Sequence, residues 1–403
     1  VSLMFKGPYS KLFFSGMING LGDRFSQVAM LTLLLKLTGS GFSVGMVMML
    51  RLLPFLFFAP IGGRLADRFP RKNILVITDL GRIIFAFSFL LVHSENEVWI
   101  IYMSAFVLAA GEAIYAPVRK SVLPLMVKRN DFARVNSLEQ VLTGIVLIIG
   151  AFSGGIISFI WGQSIAFCMN GLSFLIAALI NSTITLKETK IRPNSECRNH
   201  SFLLSVRTMI RHSFSIQIII SCILLVSLVN GIDNVLISIY AVKVFHLGDL
   251  GVGVFYGALG VGLVLSFSIA SRLKKHFIVI GFICLFLEGM MLIFLSISII
   301  ATMAILAFSS AALFSGIGNT CFETVMMKEI PDEFRGTTFG LTEALSNFLL
   351  GLSMFFSGIV LAFISPRHLG FIGGLGFIII SIVLCFVLIV RSAHSAHPKG
   401  RIL

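Results

Sequence analysis

The sequence predicts an all-α membrane protein with twelve transmembrane helices in two pseudo-symmetric six-helix bundles. Three observations carry this prediction. Of 403 residues, 57% are hydrophobic and only 12% are charged, whereas a soluble domain carries roughly a quarter charged residues. The apolar residues fall in runs long enough to cross a bilayer, which takes about 20 residues per helix. The cations fall between those runs, on alternate loops, as topology signals do.

Taken in order, the runs place spans at 10–36, 41–63, 73–93, 97–118, 132–160, 163–186, 214–242, 249–271, 276–296, 299–326, 336–364 and 367–391. The long polar stretch between spans, 187–213, separates an N-terminal bundle, 1–186, from a C-terminal bundle with a short tail, 214–403. Of the 31 Lys and Arg residues, Lys36, Lys243 and Arg367 fall on one side, and Arg24, Arg51 and Arg82 fall within spans. All the others fall on the opposite side, together with both termini and the central stretch. By the positive-inside rule that side is cytoplasmic, so the expected location is the cell (inner) membrane, multi-pass, with both termini cytoplasmic.

The halves echo each other. Asn19-Gly20-Leu21-Gly22-Asp23 in span 1 is matched by Asn230-Gly231-Ile232-Asp233 in span 7. Pro124 with Asn130-Asp131 after span 4 is matched by Pro331-Asp332-Glu333 after span 10. Repeated bundles of this kind are a common plan for transporters.

Several function classes are set aside. The net charge of +13 does not indicate nucleic-acid binding, because the cations form no aromatic-interleaved face. The six cysteines, Cys168, Cys197, Cys222, Cys284, Cys321 and Cys385, and the eight histidines have no metal-ligand spacing. Gly251-Val252-Gly253-Val254-Phe255-Tyr256-Gly257 opens a span and lacks dinucleotide-loop spacing, and no Gly-x-x-x-x-Gly-Lys-Ser/Thr run occurs. No cofactor, metal centre or catalytic cluster is therefore expected, and the chain reads as a non-enzyme. The first apolar run is long enough to span, so no cleavable signal peptide is expected.

Charges inside spans need a reason, because hydrocarbon does not solvate them. Asp23 and Arg24 lie near the middle of span 1, Arg51 in span 2, Asp233 in span 7 and Glu288 in span 9. These five are the candidates for proton coupling and substrate binding. Asp23 comes first, with Arg51 or Arg24 as its counter-charge. Asp79, Arg82, Glu112, Glu139, Glu323 and Glu343 are read as lying nearer the cytoplasmic ends, in structural roles.

The strongest local signal is Gly63-Arg64-Leu65-Ala66-Asp67-Arg68-Phe69-Pro70-Arg71-Lys72 between spans 2 and 3. It resembles the signature loop of the major facilitator superfamily, although Pro70 stands where that loop usually has Gly. The resemblance makes Gly63, Asp67, Arg68, Arg71, Lys72 and Arg119 a gating motif. It implies that Asp67 meets the N-terminus of span 11 near Gly336 and pairs with Arg119. In span 5, Gly144, Gly150, Gly154 and Gly155 resemble the glycine-rich packing motif of the family's antiporters, with Ala151 in place of the usual Pro.

The run Ala116-Pro117-Val118-Arg119-Lys120-Ser121-Val122-Leu123-Pro124 with Ala133-Arg134-Val135-Asn136-Ser137-Leu138 looks like the proton-driven drug-efflux group, which includes macrolide and siderophore exporters. Pro331-Asp332-Glu333-Phe334-Arg335-Gly336 looks like its second-half counterpart. The resemblance implies the major facilitator fold and a monomeric, proton-coupled (or other ion-coupled) antiporter. Such a protein exports an amphipathic small molecule, such as a drug or macrolide, by alternating access. The alternatives in the same fold are a siderophore exporter and a lysophospholipid or nutrient transporter. A membrane sensor or enzyme is the competitor outside it.

Overall fold

The computed structural model describes residues 7–38, 41–185, 213–361 and 363–396. Apart from Ser213, the predicted central loop lies outside the described residues. Among those residues the chain forms helices and no strand: α1 (Pro8–Thr38), α2 (Gly41–Arg68), α3 (Arg71–Ser88), α4 (Val98–Met126), α5 (Phe132–Ile145), α6 (Ala151–Ile160), α7 (Gln163–Ser182), α8 (Phe214–Ile239), α9 (Gly248–Ala270), α10 (Phe277–Ile297), α11 (Ala301–Glu329), α12 (Asp332–Val360) and α13 (Pro366–Ala396). In lipid an extended segment would leave its backbone amides without partners, and a helix satisfies them internally.

Eleven helical segments among the described residues are long and apolar enough to cross a bilayer. The remaining predicted span is α1. Its 31 residues reach about 46 Å at 1.5 Å per residue, more than the roughly 30 Å hydrocarbon core. Its mean hydropathy is low because Asn19, Asp23, Arg24, Ser26 and Gln27 sit mid-helix. The buried members of that set, Asn19 and Ser26, face protein rather than lipid. The outer surface shows the opposite pattern: Ile84, Leu306 and Phe386 are each well over half exposed, an arrangement that suits a hydrocarbon solvent.

The predicted fifth span, 132–160, is not one continuous α-helix. A π-helical turn, Val146–Gly150, separates α5 from α6. The glycines of that span meet different partners. Gly144 packs on α9, where a Cβ would lie 2.6 Å from Gly260 O. Gly150 and Gly154 instead pack on α1, where added Cβ atoms would lie 2.8 Å from Arg24 Cβ and 3.2 Å from Phe25 Cα. Gly155 follows on α6.

Helix α1 packs on α6 and α7, α2 on α4, and α3 on α4 and α7. In the second half α10 packs on α11 and α13, α12 on α8, and α9 on α11. The halves meet along α2 with α12 and along α5 with α9. Counting spans, these pairs are 2 with 11 and 5 with 8. Exchanging the repeats, which turns span 2 into span 8 and span 11 into span 5, converts one pair into the other, as a two-fold relation between repeats requires.

Different glycines of the broken span should therefore fail differently. Gly154→Leu crowds α1 within one half and should cost about 1–3 kcal/mol of stability, read as a lower unfolding midpoint in detergent. Gly144→Leu should lower transport with a smaller change in that midpoint. Equal effects of the two substitutions on both readouts would contradict this assignment.

Candidate functional site

Two features stand out: a set of polar links that closes one face of the bundle, and a charged cavity beyond it.

The closure begins at Asp67, the last but one residue of α2. It is 5% exposed and accepts hydrogen bonds from Gly336 N at 2.9 Å, Thr337 N at 2.8 Å and Thr337 Oγ1 at 2.7 Å. Backbone N–H groups near a helix N-terminus favour an anion. The approach needs glycine on both helices. A Cβ on Gly63 would strike Gly336 O and lie 2.9 Å from Thr337 Cα, and a Cβ on Gly336 would lie 2.6 Å from Asp67 Oδ1.

Arg71 reinforces the same joint. Its Nε donates to Ala66 O at 3.0 Å and its Nη2 to Asp332 O at 3.0 Å, and the guanidinium lies 4.0 Å from Asp67. Arg68 is exposed and Lys72 half-buried at the rim.

The cation beside Asp67 is thus Arg71 rather than Arg119. Arg119 pairs with Glu139 inside the first half, and the Tyr9 hydroxyl donates to the same carboxylate at 3.0 Å. Arg119 stands on the face of α4 that meets α5 and α1, whereas the next residue, Lys120, faces α12.

Three more links cross between the halves on this face. Lys120 Nζ lies 2.9 Å from Glu343 Oε2 and 3.4 Å from Glu323 Oε1. Arg129 Nη2 donates to Lys328 O at 2.6 Å. Asn136 Nδ2 donates to Thr324 Oγ1 at 3.0 Å. All of these groups lie toward the face with the basic loops. Among the described residues no such polar link joins the halves at the opposite face. The polar links thus hold the halves together at the basic face.

The charged cavity lies deeper in the first half. It measures about 180 Å³, and its lining includes Asn19, Asp23, Arg24, Glu112, Tyr115 and Arg119. Arg82 is its anchor. The side chain is 3% exposed, with Nη2 2.8 Å from Asp23 Oδ2 and Nη1 2.9 Å from Glu112 Oε2. The guanidinium also lies over the Phe174 ring, 4.2 Å from its centroid, a favourable cation–π position. Asp23 and Glu112 are 25% and 39% exposed, so the two carboxylates face accessible space while the guanidinium does not.

Asp79, one helical turn before Arg82, is fully buried. It accepts from Asn19 Nδ2 at 3.1 Å and from Asn181 Nδ2 at 2.9 Å.

The counter-charge of Asp23 is therefore Arg82, not Arg24 or Arg51. Arg24 donates to Gln27 Oε1 at 2.9 Å on its own helix. Arg51 lies within electrostatic reach of Asp23, Arg82 and Glu112 without an ion pair to any of them. Arg82 and Glu112 are not peripheral. Arg82 stands eleven residues into α3, or about 17 Å along the helix, near half the thickness of the hydrocarbon core. The i, i+3 spacing of Asp79 and Arg82 put both on one helix face, which was the available signal. Their meeting with Asp23 and Glu112 involves three helices and has no local signature.

Asp233 and Glu288 occupy the second half. Glu288 is 7% exposed and accepts a hydrogen bond from Ser315. It lines a cavity of about 90 Å³ with Cys222, Ser227, Asn230 and Asn319. Asp233 borders a smaller apolar pocket with Tyr240, Phe255 and Ser296. Neither has an ion-pair partner among the described residues. No group of three or more His, Cys, Asp or Glu side chains able to hold a metal occurs among them either.

Residues 12–353 match the Major Facilitator Superfamily. The chain belongs to this family. It is 22% identical over 359 residues to the uncharacterized MFS-type transporter YfiS of Bacillus subtilis (strain 168), covering 85% of this chain and 84% of that one. It is 25% identical over 174 residues to macrolide efflux protein A of Streptococcus pyogenes, covering 42% of each chain. In fold it is similar to a bacterial homologue of the iron transporter ferroportin in its outward-facing state, with a TM-score of 0.73 and 17% identity over 94% of this chain and 98% of that one.

The protein is thus a multi-pass major facilitator transporter and not an enzyme. Within that fold, the Asp67 joint ties α2 of one half to α12 of the other.

Asp67→Ala removes three hydrogen bonds, two of them from backbone N–H groups. Labelling of an introduced Asn136→Cys thiol, buried in the closed joint, should then rise roughly ten-fold for each 1.4 kcal/mol by which the closed state is weakened. Unchanged labelling would remove Asp67 from the gate.

Proposed function

We propose that this major facilitator transporter is a proton-coupled antiporter that exports an amphipathic organic compound, of the drug or macrolide kind, from the cytoplasm. One observation carries the reading: Arg82 is held at mid-depth between two carboxylates, Asp23 and Glu112, that line an accessible cavity. A single guanidinium shared by two acids offers alternative pairings. When a proton neutralises one carboxylate, Arg82 pairs fully with the other. When a cationic or polar substrate group approaches, that carboxylate is released to meet it. Proton and substrate then compete for one site, and such competition couples opposite flows.

The rest of the molecule supplies the alternation. The halves, 1–186 and 214–403, rock against each other along α2–α12 and α5–α9. The state described here is closed at the basic face, which the positive-inside rule assigns to the cytoplasm of the inner membrane along with both termini. Opening that face breaks the Asp67, Arg71, Lys120, Arg129 and Asn136 links together. In the second half, Asp233 and Glu288 border the path with few polar partners, and the Phe- and Met-rich spans offer apolar contact to a bulky substrate. One chain carries both halves and both interfaces, so the working unit is a monomer.

The test is efflux of a panel of dyes, macrolides and siderophores from cells lacking other pumps, with and without an uncoupler. Asp23→Asn and Arg82→Ala should each reduce uncoupler-sensitive efflux about a hundred-fold, as expected for an uncompensated buried charge costing about 3 kcal/mol. Glu112→Gln should change the pH dependence of efflux while retaining part of the rate. Full uncoupler-sensitive efflux by Asp23→Asn at wild-type protein levels would end the proposal.

A further inference from the structure

The geometry points to a binding site for an anionic phospholipid on the outer surface of the second half, in the seam between α10, α11 and α13 at the basic face, which favours the closed state of that face. This site is separate from the central cavity and from the proposed coupling residues.

Two adjoining hollows form the seam. The first, of about 380 Å³, is lined by His276, Phe277, Ile278 and Val279 at the start of α10, Lys328 and Glu329 at the end of α11, and Leu388 on α13. The second, of about 360 Å³, continues one turn deeper between Phe282, Ile283 and Phe286 of α10 and Ile382, Phe386 and Ile389 of α13. On α10 the two run from Phe277 to Leu287. That is eleven residues, or about 17 Å, close to half of a roughly 30 Å hydrocarbon core. The length therefore matches one leaflet. The deeper hollow is apolar, and Ile283 and Phe386 are more than half exposed along it.

Charge selects the occupant. Lys328 lies over the Phe277 ring, 4.2 Å from its centroid, and makes no ion pair with an acid among the described residues. Arg272, Lys274 and Lys275 are exposed just before α10 and have no acidic partner among the described residues. The one acid lining the hollow, Glu329, accepts from Ser213 Oγ at 2.7 Å. A cation lining the mouth of an apolar groove one leaflet deep, with three more exposed in the segment that leads into α10, suits a phosphate-bearing headgroup with its acyl chain below it. A free phosphate would leave the deeper hollow empty, and a neutral lipid would leave the cations unmatched.

The site touches the gate through one residue. The Lys328 carbonyl accepts the Arg129 link from the other half at 2.6 Å. A headgroup that draws Lys328 into place also holds the acceptor of that link. Lipid bound in the seam thus favours the closed state of the basic face.

The experiment uses the full chain in nanodiscs of phosphatidylcholine, with or without phosphatidylglycerol. Retained lipid is counted by native mass spectrometry, and gate closure is read by labelling of Asn136→Cys. Phosphatidylglycerol should be retained and should lower the labelling. Lys328→Ala keeps the carbonyl, and so the Arg129 link, but should reduce phosphatidylglycerol retention about five-fold, the worth of one cation at an anionic surface. Ile283→Trp, which fills the groove without touching a charge, should reduce retention as well. Equal retention by wild type, Lys328→Ala and Ile283→Trp would overturn the site. Retention that depends on Lys328 but leaves labelling unchanged would overturn its link to the gate.

Discussion

Arg82 carries its charge to a depth where water is scarce, and the surrounding helices are arranged to answer it. A charged side chain at the centre of a membrane helix costs about 2.5–3.5 kcal/mol on insertion scales and more in simulations. Two carboxylates, Asp23 from α1 and Glu112 from α4, and the face of Phe174 from α7 surround the guanidinium. Once α3 brings Arg82 into the bundle, three other helices are bound to deliver complementary groups to the same point. Asp23 is the part of the polarity of α1 that answers this demand.

The same constraint governs the gate with the opposite sign. Asp67 is a buried anion, and its main partners are backbone N–H groups of α12 rather than a guanidinium. Those donors are fixed in direction by the helix, so the anion is satisfied only when α2 and α12 stand in one relation. The glycines at 63 and 336 allow that relation. Under the proposed rocking of the halves, the carboxylate would lose all three donors together, a two-state rather than a graded joint.

Glycine placement serves a third purpose along span five. Residues that read as one packing motif divide at a π turn. Gly144 meets the other half, while Gly150 and Gly154 meet α1 of their own half. Close packing without a hydrophobic drive depends on such small residues. Their division packs one span against its own bundle and against the other half at once.

Hydrophobic run length and cation alternation determined the membrane class and the number of spans, because both are properties of local composition in a bilayer. The loop around Asp67 was legible because its motif is contiguous, and its contact near Gly336 was implied by the family resemblance that the motif carries. The partners of the buried charges were not legible. Asp23 with Arg82, Arg82 with Glu112, Arg119 with Glu139 and Lys120 with Glu343 join residues on different helices. Such a pair depends on helix rotation and depth, and neither is encoded in spacing along one chain. Only the packed bundle decided which charge answers which, because a buried ion takes the partner that the tertiary contacts bring within 3 Å or so, not the nearest one in sequence.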